Sequence, residues 1–113
     1  MERPSAGFRQ QRLEHILLGE IRSILSDEVG DPDLAGIVVR EIALARDGSF
    51  ARVVVTRPGV EDRAARGRVE AALSRVAPFV RRQLNDAVDL KRSPEVRFVL
   101  REHLDGDDEG EDS

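Results

Sequence analysis

The feature that most constrains the fold of this 113-residue chain is a line of apolar residues that continues across a proline. From Val69 to Val88, valine and leucine recur every three or four residues, the spacing that places side chains on one face of an α-helix. Pro78 lies inside this stretch and removes a backbone donor, which costs ~3 kcal/mol in a helix interior. Because the spacing keeps its phase across Pro78, we predict that the helix bends or restarts there while the same face stays on the core.

A second amphipathic helix is predicted near the beginning of the chain, from about Phe8 to Val29. Its apolar residues form one stripe at helical spacing: Leu13, Ile16, Leu17, Ile21, Ile24 and Leu25. Gly30 and the Asp31-Pro32 dipeptide follow the stripe, and both are typical of a helix end.

Two predicted strands, Ile37–Ala45 and Phe50–Thr56, flank an Asp-Gly dipeptide that is typical of a hairpin turn. Alternation of side chains predicts that Arg40 lies on the core side of the first strand, which is an unfavourable place for a charge. We therefore predict a β-bulge or an early strand start there. The residues expected to face the core are Val38, Ile42, Leu44, Val53 and Val55.

A third strand is predicted from about Glu95 to Leu100, and periodicity leaves open which edge of the hairpin it joins. The predicted order is therefore α-β-β-α-kink-α-β, an α+β fold with a three-stranded sheet and helices packed on one face. We expect one domain over residues 8–104, with a flexible N-terminus at residues 1–7. Residues 105–113 are too acidic and too poor in apolar groups to fold, and we expect a disordered acidic tail.

The charge of the chain is divided unevenly along its length. The net charge is −4, but residues 105–113 carry six of the 22 acidic residues, so the rest of the chain has 18 basic against 16 acidic residues. The basic excess lies in the second half, where arginine replaces lysine almost completely. A basic surface suits a polyanion and the tail repels one, so this division predicts an electrostatic partner.

Several classes of function lack their motifs in this sequence. There is no cysteine, no glycine-rich phosphate-binding motif and no serine with a convincing histidine and acid partner set. No apolar run is long enough for a signal peptide or a membrane span. We therefore expect a cytoplasmic binding protein rather than an enzyme, with no cofactor and no metal.

Arginine residues around Pro78 and the last strand are the candidate ligand-binding groups. Guanidinium groups pair with phosphate in bidentate geometry, and the scarcity of aromatic residues favours recognition of RNA backbone and shape over base stacking. The alternative is an arginine-rich surface that only keeps the chain in solution. The basic residues of this cluster are Arg75, Arg81, Arg82, Lys91, Arg92, Arg97 and Arg101.

The order and spacing of several short strings resemble the ribosome-binding factor A family. The pair Arg9 and Arg12 resembles its opening R-x-x-R, and Asp31-Pro32 with Leu34 resembles its D-P-x-L. The strings that resemble its hairpin and its last strand are Arg46-Asp47 with Phe50-Ala51, and Pro94-Glu95 with Phe98.

The resemblance implies a KH-like RNA-binding domain in which an interrupted helix replaces the usual glycine-rich loop. The matching triplet here is Val76-Ala77-Pro78, with proline where the family usually has glycine. The resemblance also adds Arg9 and Arg12 to the expected RNA-binding residues. This is a departure from the family pattern, because proline bends a helix by steric exclusion and glycine by backbone freedom.

The function implied by the resemblance is that of a non-catalytic assembly factor. Such a factor binds the free 30S subunit, assists 5′-end maturation of 16S rRNA, matters for growth in the cold and is linked to assembly GTPases. A monomer is the simplest expectation. An interpretation of another class stays open: a protein-interaction module that docks on a basic partner through its acidic C-terminal tail.

Overall fold

The structure, a computed structural model, describes the backbone of residues 5–101 and the side chains of residues 9–101. The first helix begins at Ser5 rather than Phe8, and the predicted acidic tail, residues 105–113, lies outside the described residues. The elements in chain order are helix α1 (Ser5–Asp27), a 3₁₀ turn (Pro32–Leu34), strands β1 (Val38–Leu44) and β2 (Phe50–Thr56), helix α2 (Arg63–Ala87) and strand β3 (Glu95–Leu100).

The three strands form one sheet in the order β1-β2-β3. Strands β1 and β2 are antiparallel, as the hairpin prediction requires, and β3 is parallel to β2. The sequence did not decide which edge of the hairpin β3 joins. In the structure β3 joins the edge formed by β2, with Glu95 in register with Phe50 and Leu100 with Val55. Strands β1 and β3 are the two edge strands of the described sheet.

Strand β1 contains the predicted bulge. The register with β2 shifts between Val39 and Glu41, so Arg40 is the extra residue and its side chain is exposed. The bulge also changes the alternation, because it places Val39 in the core at 4 % exposure and leaves Val38 half-buried. The prediction that Val38 faces the core is therefore wrong, whereas Ile42 beyond the bulge packs against the core as expected.

The hydrophobic core lies between the sheet and both helices, which confirms an α+β fold with helices packed on one face. Leu17 and Ile21 of α1, Val53 of β2 and Leu84 of α2 are fully buried in it. Burying a side chain of this size contributes ~1.5–3 kcal/mol relative to leaving it exposed. The core is built by the apolar stripes that the sequence showed, except that Ile16 of the first stripe is 49 % exposed and lies outside it.

Helix α2 passes through Pro78 as one continuous helix. Val69 and Leu73 before the proline and Val80 and Leu84 after it all belong to the core. The apolar face therefore keeps its phase, as predicted. The segment predicted as two helices around a kink is a single helix.

The other side of the sheet carries no helix among the described residues. We call it the outer face. Val54 and Thr56 are buried there at 2 % and 3 % exposure, with the Arg40 Nε donating to the Thr56 Oγ1 at 3.0 Å. Other side chains on this face are those of Glu41, Phe50, Arg52, Glu95, Arg97, Val99 and Arg101.

Candidate nucleic-acid interface

Helix α2 begins at a local sequence signal. Asp62 precedes the helix, and its side chain accepts a hydrogen bond from the Ala65 N–H at 2.7 Å. This cap satisfies one of the N–H groups that a helix leaves unpaired in its first turn. The apolar stripe then fixes the rotation of the helix on the sheet, so one of its flanks faces β3.

Pro78 lies on this flank and leaves a carbonyl oxygen without its helical partner. In a regular helix, the N–H of residue 78 would bond to the Ser74 carbonyl, but proline has no N–H. Ser74 and Pro78 both line the space between α2 and β3. The Ser74 carbonyl oxygen is therefore a hydrogen-bond acceptor that the helix itself does not use.

Strand β3 offers a second set of backbone groups to the same space. The Glu95 N–H donates to the Ser49 carbonyl and the Arg101 N–H to the Val55 carbonyl, so the odd-numbered residues bond to β2. Successive backbone groups of a strand point to opposite sides, which leaves those of Val96 and Phe98 on the outer edge. Such an edge can form hydrogen bonds with a ligand that lies along it.

Together these two elements form an open groove of about 860 Å³, which we call the α2–β3 groove. This volume is within the range of ligand-binding clefts. Arg81, Arg82 and Arg97 bring positive charge to its lining, and Glu70 and Glu95 bring two carboxylates. Its arginine side chains, free backbone groups and apolar floor suit a nucleic acid strand better than a small apolar ligand.

Arg81 is exposed and is held in place by the loop before β3. Its Nε donates to the Ser93 Oγ at 2.9 Å, and a terminal nitrogen donates to the Ser93 carbonyl at 2.7 Å. Asn85 also donates to the Ser93 Oγ. A guanidinium carries five N–H donors, so Arg81 is oriented by this loop and still has donors for a ligand.

Arg82 and Arg97 differ in how firmly they are held. Within the described residues, Arg82 has no hydrogen-bond or ion-pair partner, so its guanidinium is free to meet an anion. Arg97 pairs with Glu95 at 3.0 Å, and its guanidinium carbon lies 4.0 Å from the centre of the Phe50 ring. Cation–π stacking of this kind positions a charge without neutralising it.

Arg75, which the sequence grouped with these residues, does not line the α2–β3 groove. It lies on the other flank of α2, where a terminal nitrogen is 2.8 Å from the Asp31 Oδ2. The Arg75 hydrogen bond, with a second one from the Asp33 N–H, holds the pKa of Asp31 below its ordinary value. Arg75 therefore joins α2 to the 3₁₀ turn. The sequence predicts a role in RNA binding for Arg75, whereas this pairing favours a role in stability.

The other predicted residues lie near the hairpin end of the sheet. Arg92 packs over Gly48, whose φ of +77° favours glycine at this turn. Lys91 is exposed beside it in the same loop. Arg9 and Arg12 are exposed in α1, close to Gln10, which donates to the carbonyl of Leu44 at 2.7 Å. None of these four residues lines the groove.

The predicted triplet divides between the core and the groove. Val76 packs against the core, whereas Ala77 and Pro78 line the groove. Two further features were not predicted from the sequence. The Ser74 carbonyl contributes to the groove, and Arg66, which does not line the groove, joins α2 to the end of β3 by donating to the carbonyl of Leu100. Their spacing along one flank of α2 is visible in the sequence, but the strand that faces this flank is not.

The described residues hold no group of three histidine, cysteine, aspartate or glutamate side chains that could bind a metal ion. None of the described helices is long and apolar enough to cross a membrane. What the groove offers is hydrogen bonding and positive charge, which are means of binding.

Comparison with known proteins gives a consistent picture. The sequence model of the ribosome-binding factor A family matches residues 9–112. The chain belongs to this family. A ribosome-binding factor A from Moorella thermoacetica is 37 % identical over 94 residues, which cover 81 % of this chain and 75 % of that relative.

Solved structures of ribosome-binding factor A have the same fold. The crystal structure of the Thermus thermophilus protein matches with a TM-score of 0.70 at 24 % identity, over 80 % of this chain and 93 % of that one. A homology model of ribosome-binding factor A from the same species, fitted into a cryo-electron microscopy map of a 30S complex, matches with a TM-score of 0.55. That match has 27 % identity and covers 80 % of this chain and 89 % of the other.

Proposed function

We propose that this chain is a non-catalytic assembly factor that binds the free 30S subunit and assists 5′-end maturation of 16S rRNA. The observation that carries the proposal is the α2–β3 groove, in which arginine side chains and unused backbone groups face a common open space. Membership in the ribosome-binding factor A family supports it, as does the fitting of the Thermus thermophilus relative into a 30S complex.

The groove suits an RNA strand for a physical reason. Guanidinium groups pair with phosphate oxygens, and Arg82 is available for such a pair without breaking another contact. The Val96 and Phe98 edge and the Ser74 carbonyl can bond to base edges and 2′-hydroxyl groups. Phosphate contacts supply affinity and the backbone groups supply orientation, so the groove reads the shape of an RNA more than its sequence.

The finer parts of the proposal concern how the protein acts in the cell. It works in the cytoplasm as a monomer, needs no cofactor, and leaves the subunit through a step linked to assembly GTPases. It is needed most for growth in the cold. These points extend the family resemblance and each needs its own test.

Co-sedimentation with free small subunits across a salt series tests the proposal directly. We expect binding to free subunits, weaker binding to whole ribosomes, and an affinity that falls as salt rises. Each phosphate contact contributes about −0.7 to −0.9 to the slope of log affinity against log salt concentration. Absence of binding at low salt would overturn the proposal and direct the search to basic protein partners of the acidic tail.

The maturation step is tested in cells. Depletion of the protein should cause 16S rRNA with an unprocessed 5′ end to accumulate, and expression of the wild-type chain should reverse this. The variant Arg81→Glu with Arg82→Glu should not reverse it. Normal 5′ ends in depleted cells would remove rRNA maturation from the function while leaving subunit binding to be judged by sedimentation.

A further inference from the structure

The outer face of the sheet carries positive charge beyond that of the α2–β3 groove, with which it shares Arg97. Arg52 of β2 and Arg97 of β3 are partners in the parallel register and point to the same side. Neighbouring strands lie ~4.8 Å apart, so like charges at this position repel each other. Arg101, at the end of β3, adds a third guanidinium to this face.

Two carboxylates on this face accompany the three guanidinium groups. Glu95 pairs with Arg97, and Glu41 lies 3.8 Å from Arg101 across the sheet. Within the described part of the chain, Arg52 has neither a hydrogen-bond nor an ion-pair partner. Because Arg52 lies beside Arg97 without a counter-charge of its own, an anion bound to this face would relieve the repulsion between the two guanidinium groups.

Apolar surface accompanies the charge. Val99 lies between Arg97 and Arg101 on β3 and is 37 % exposed, one of two large apolar side chains that are exposed among the described residues. The ring of Phe50 is half-buried beneath Arg97. No described element covers these groups, so the face can accept a segment that lies along β3.

The chain itself supplies a segment of matching charge at the right place. Residues 105–112 contain six carboxylates, and only residues 101–104 separate them from the end of β3, where Arg101 lies on this face. Residues 102–113 reach ~40 Å when extended, whereas β3 is ~20 Å long. The segment is therefore long enough to turn back and pass over all three arginines.

We propose that the acidic segment, residues 105–112, folds back onto the outer face and pairs with Arg52, Arg97 and Arg101. Covalent attachment raises the effective concentration of the segment into the millimolar range, so even weak contacts are populated. The contact is electrostatic, and salt weakens it. The proposal concerns the free protein and does not depend on ribosome binding.

A nitroxide label on the acidic segment gives a direct test in the full chain. The protein has no cysteine, so Gly110→Cys creates a single labelling site without changing the charge of the segment. Amide signals of Arg52, Arg97 and Val99 should lose most of their intensity, while those of Glu20 on α1 should keep theirs. In ~1 M salt, where the Debye length is ~3 Å, the intensity should return.

Two matched pairs of substitutions decide whether the arginines are responsible. Arg52→Gln with Arg97→Gln should abolish the broadening, whereas Arg63→Gln with Arg68→Gln, which removes the same charge from the exposed side of α2, should preserve it. Conversion of the six carboxylates to amides should also abolish it. Broadening that is spread evenly over the surface, or unchanged by Arg52→Gln with Arg97→Gln, would overturn the proposal.

Two other occupants of the face are distinguished by the same materials. If broadening appears in an unlabelled chain mixed with a labelled one, the acidic segment binds a second copy, and the intramolecular contact is wrong. If the segment shows no contact while Arg52→Gln alone, which leaves the groove lining unchanged, weakens subunit binding, the face binds RNA, and the proposal is again wrong.

Discussion

The two flanks of α2 carry arginines that look alike in the sequence but have different surroundings in the structure. On one flank, Arg81 and Arg82 face the α2–β3 groove, where the helix and the edge strand leave donors and acceptors unused. On the other flank, Arg75 is paired with Asp31 and closes the gap to the 3₁₀ turn. The number of charges does not separate the candidate binding flank from the other one, whereas the presence of an internal carboxylate partner does.

The largest effect that separates the two flanks is expected from Arg81→Glu with Arg82→Glu. Two charge-assisted contacts of ~1.5–3 kcal/mol each are lost, so affinity for the free small subunit should fall about 100-fold or more. Co-sedimentation at fixed salt measures this fall. The matched control is Arg63→Glu with Arg68→Glu, which makes the same charge change outside the groove. An equal fall in the control would mean that net charge, rather than the groove, carries binding.

Arg81 also holds Ser93, so the double variant changes both a ligand contact and the loop before β3. The single variant Arg82→Gln separates these effects, because Arg82 has no partner in the described part of the chain. It should lower affinity about tenfold and leave the melting temperature unchanged. A fall in melting temperature without loss of binding would assign Arg82 to the fold instead.

Pro78→Ala is expected to change stability and binding in opposite directions. Alanine restores the hydrogen bond to the Ser74 carbonyl and should raise the free energy of unfolding by ~1–3 kcal/mol. The same bond removes an acceptor from the groove, so affinity should fall about threefold to tenfold. Urea unfolding and co-sedimentation measure the two quantities.

Gly67→Ala is the control for this experiment. Nothing lies within 4 Å of the added Cβ, and alanine should stabilise α2 by ~1 kcal/mol without touching the groove. Its affinity should remain that of the wild type. If both variants lose affinity, stiffening of the helix is responsible and the Ser74 carbonyl is not a ligand group.

Arg75→Gln should affect stability and leave binding within about twofold of the wild type. Arg75 is the main cause of the lowered pKa of Asp31, whose ordinary value is 3.8. The pair therefore stabilises the fold fully above this pH, and its contribution is lost as the pH falls through the lowered pKa of the folded state. The difference in melting temperature between wild type and variant should vanish in strong acid. A constant difference at all pH values would contradict this.

The smallest expected effect is at the hairpin turn. Hydrogen bonds from Ser49 are the main cause of the lowered pKa of Asp47, and the charge of Arg92 adds to them. Arg92→Gln should therefore raise the pKa of Asp47 only slightly, as measured by a carbon NMR titration of its carboxyl group. A large rise would show that Arg92 chiefly serves this turn and is a poorer candidate for RNA binding.

Local patterns predicted the elements better than the site. Strand β2 has the predicted bounds Phe50–Thr56, and the bulge at Arg40 follows from the cost of burying a charge. These features depend on neighbouring residues, which a sequence displays directly. The prediction for Val38 is wrong because the position of the bulge decides whether Val38 or Val39 faces the core.

The candidate site depended on distant pairing that the sequence does not display. Arg75 and Asp31 are 44 residues apart, and nothing in their local sequence indicates a contact. The groove required β3 to pair with β2 rather than β1, and alternation within β3 is the same in either case. The arginines near Pro78 could be identified by charge, but their surroundings could not.

The parallel pairing of β2 with β3 also determines when the α2–β3 groove can form during synthesis. The β1–β2 hairpin closes over a short turn, whereas β3 can pair only after the whole of α2 has been made and has crossed back over the sheet. Synthesis proceeds from the N-terminus, so Glu95–Leu100 is the last of the described elements to leave the ribosome. A nascent chain therefore displays the arginines of α2 before the β3 edge exists, and the α2–β3 groove forms only after β3 has been translated.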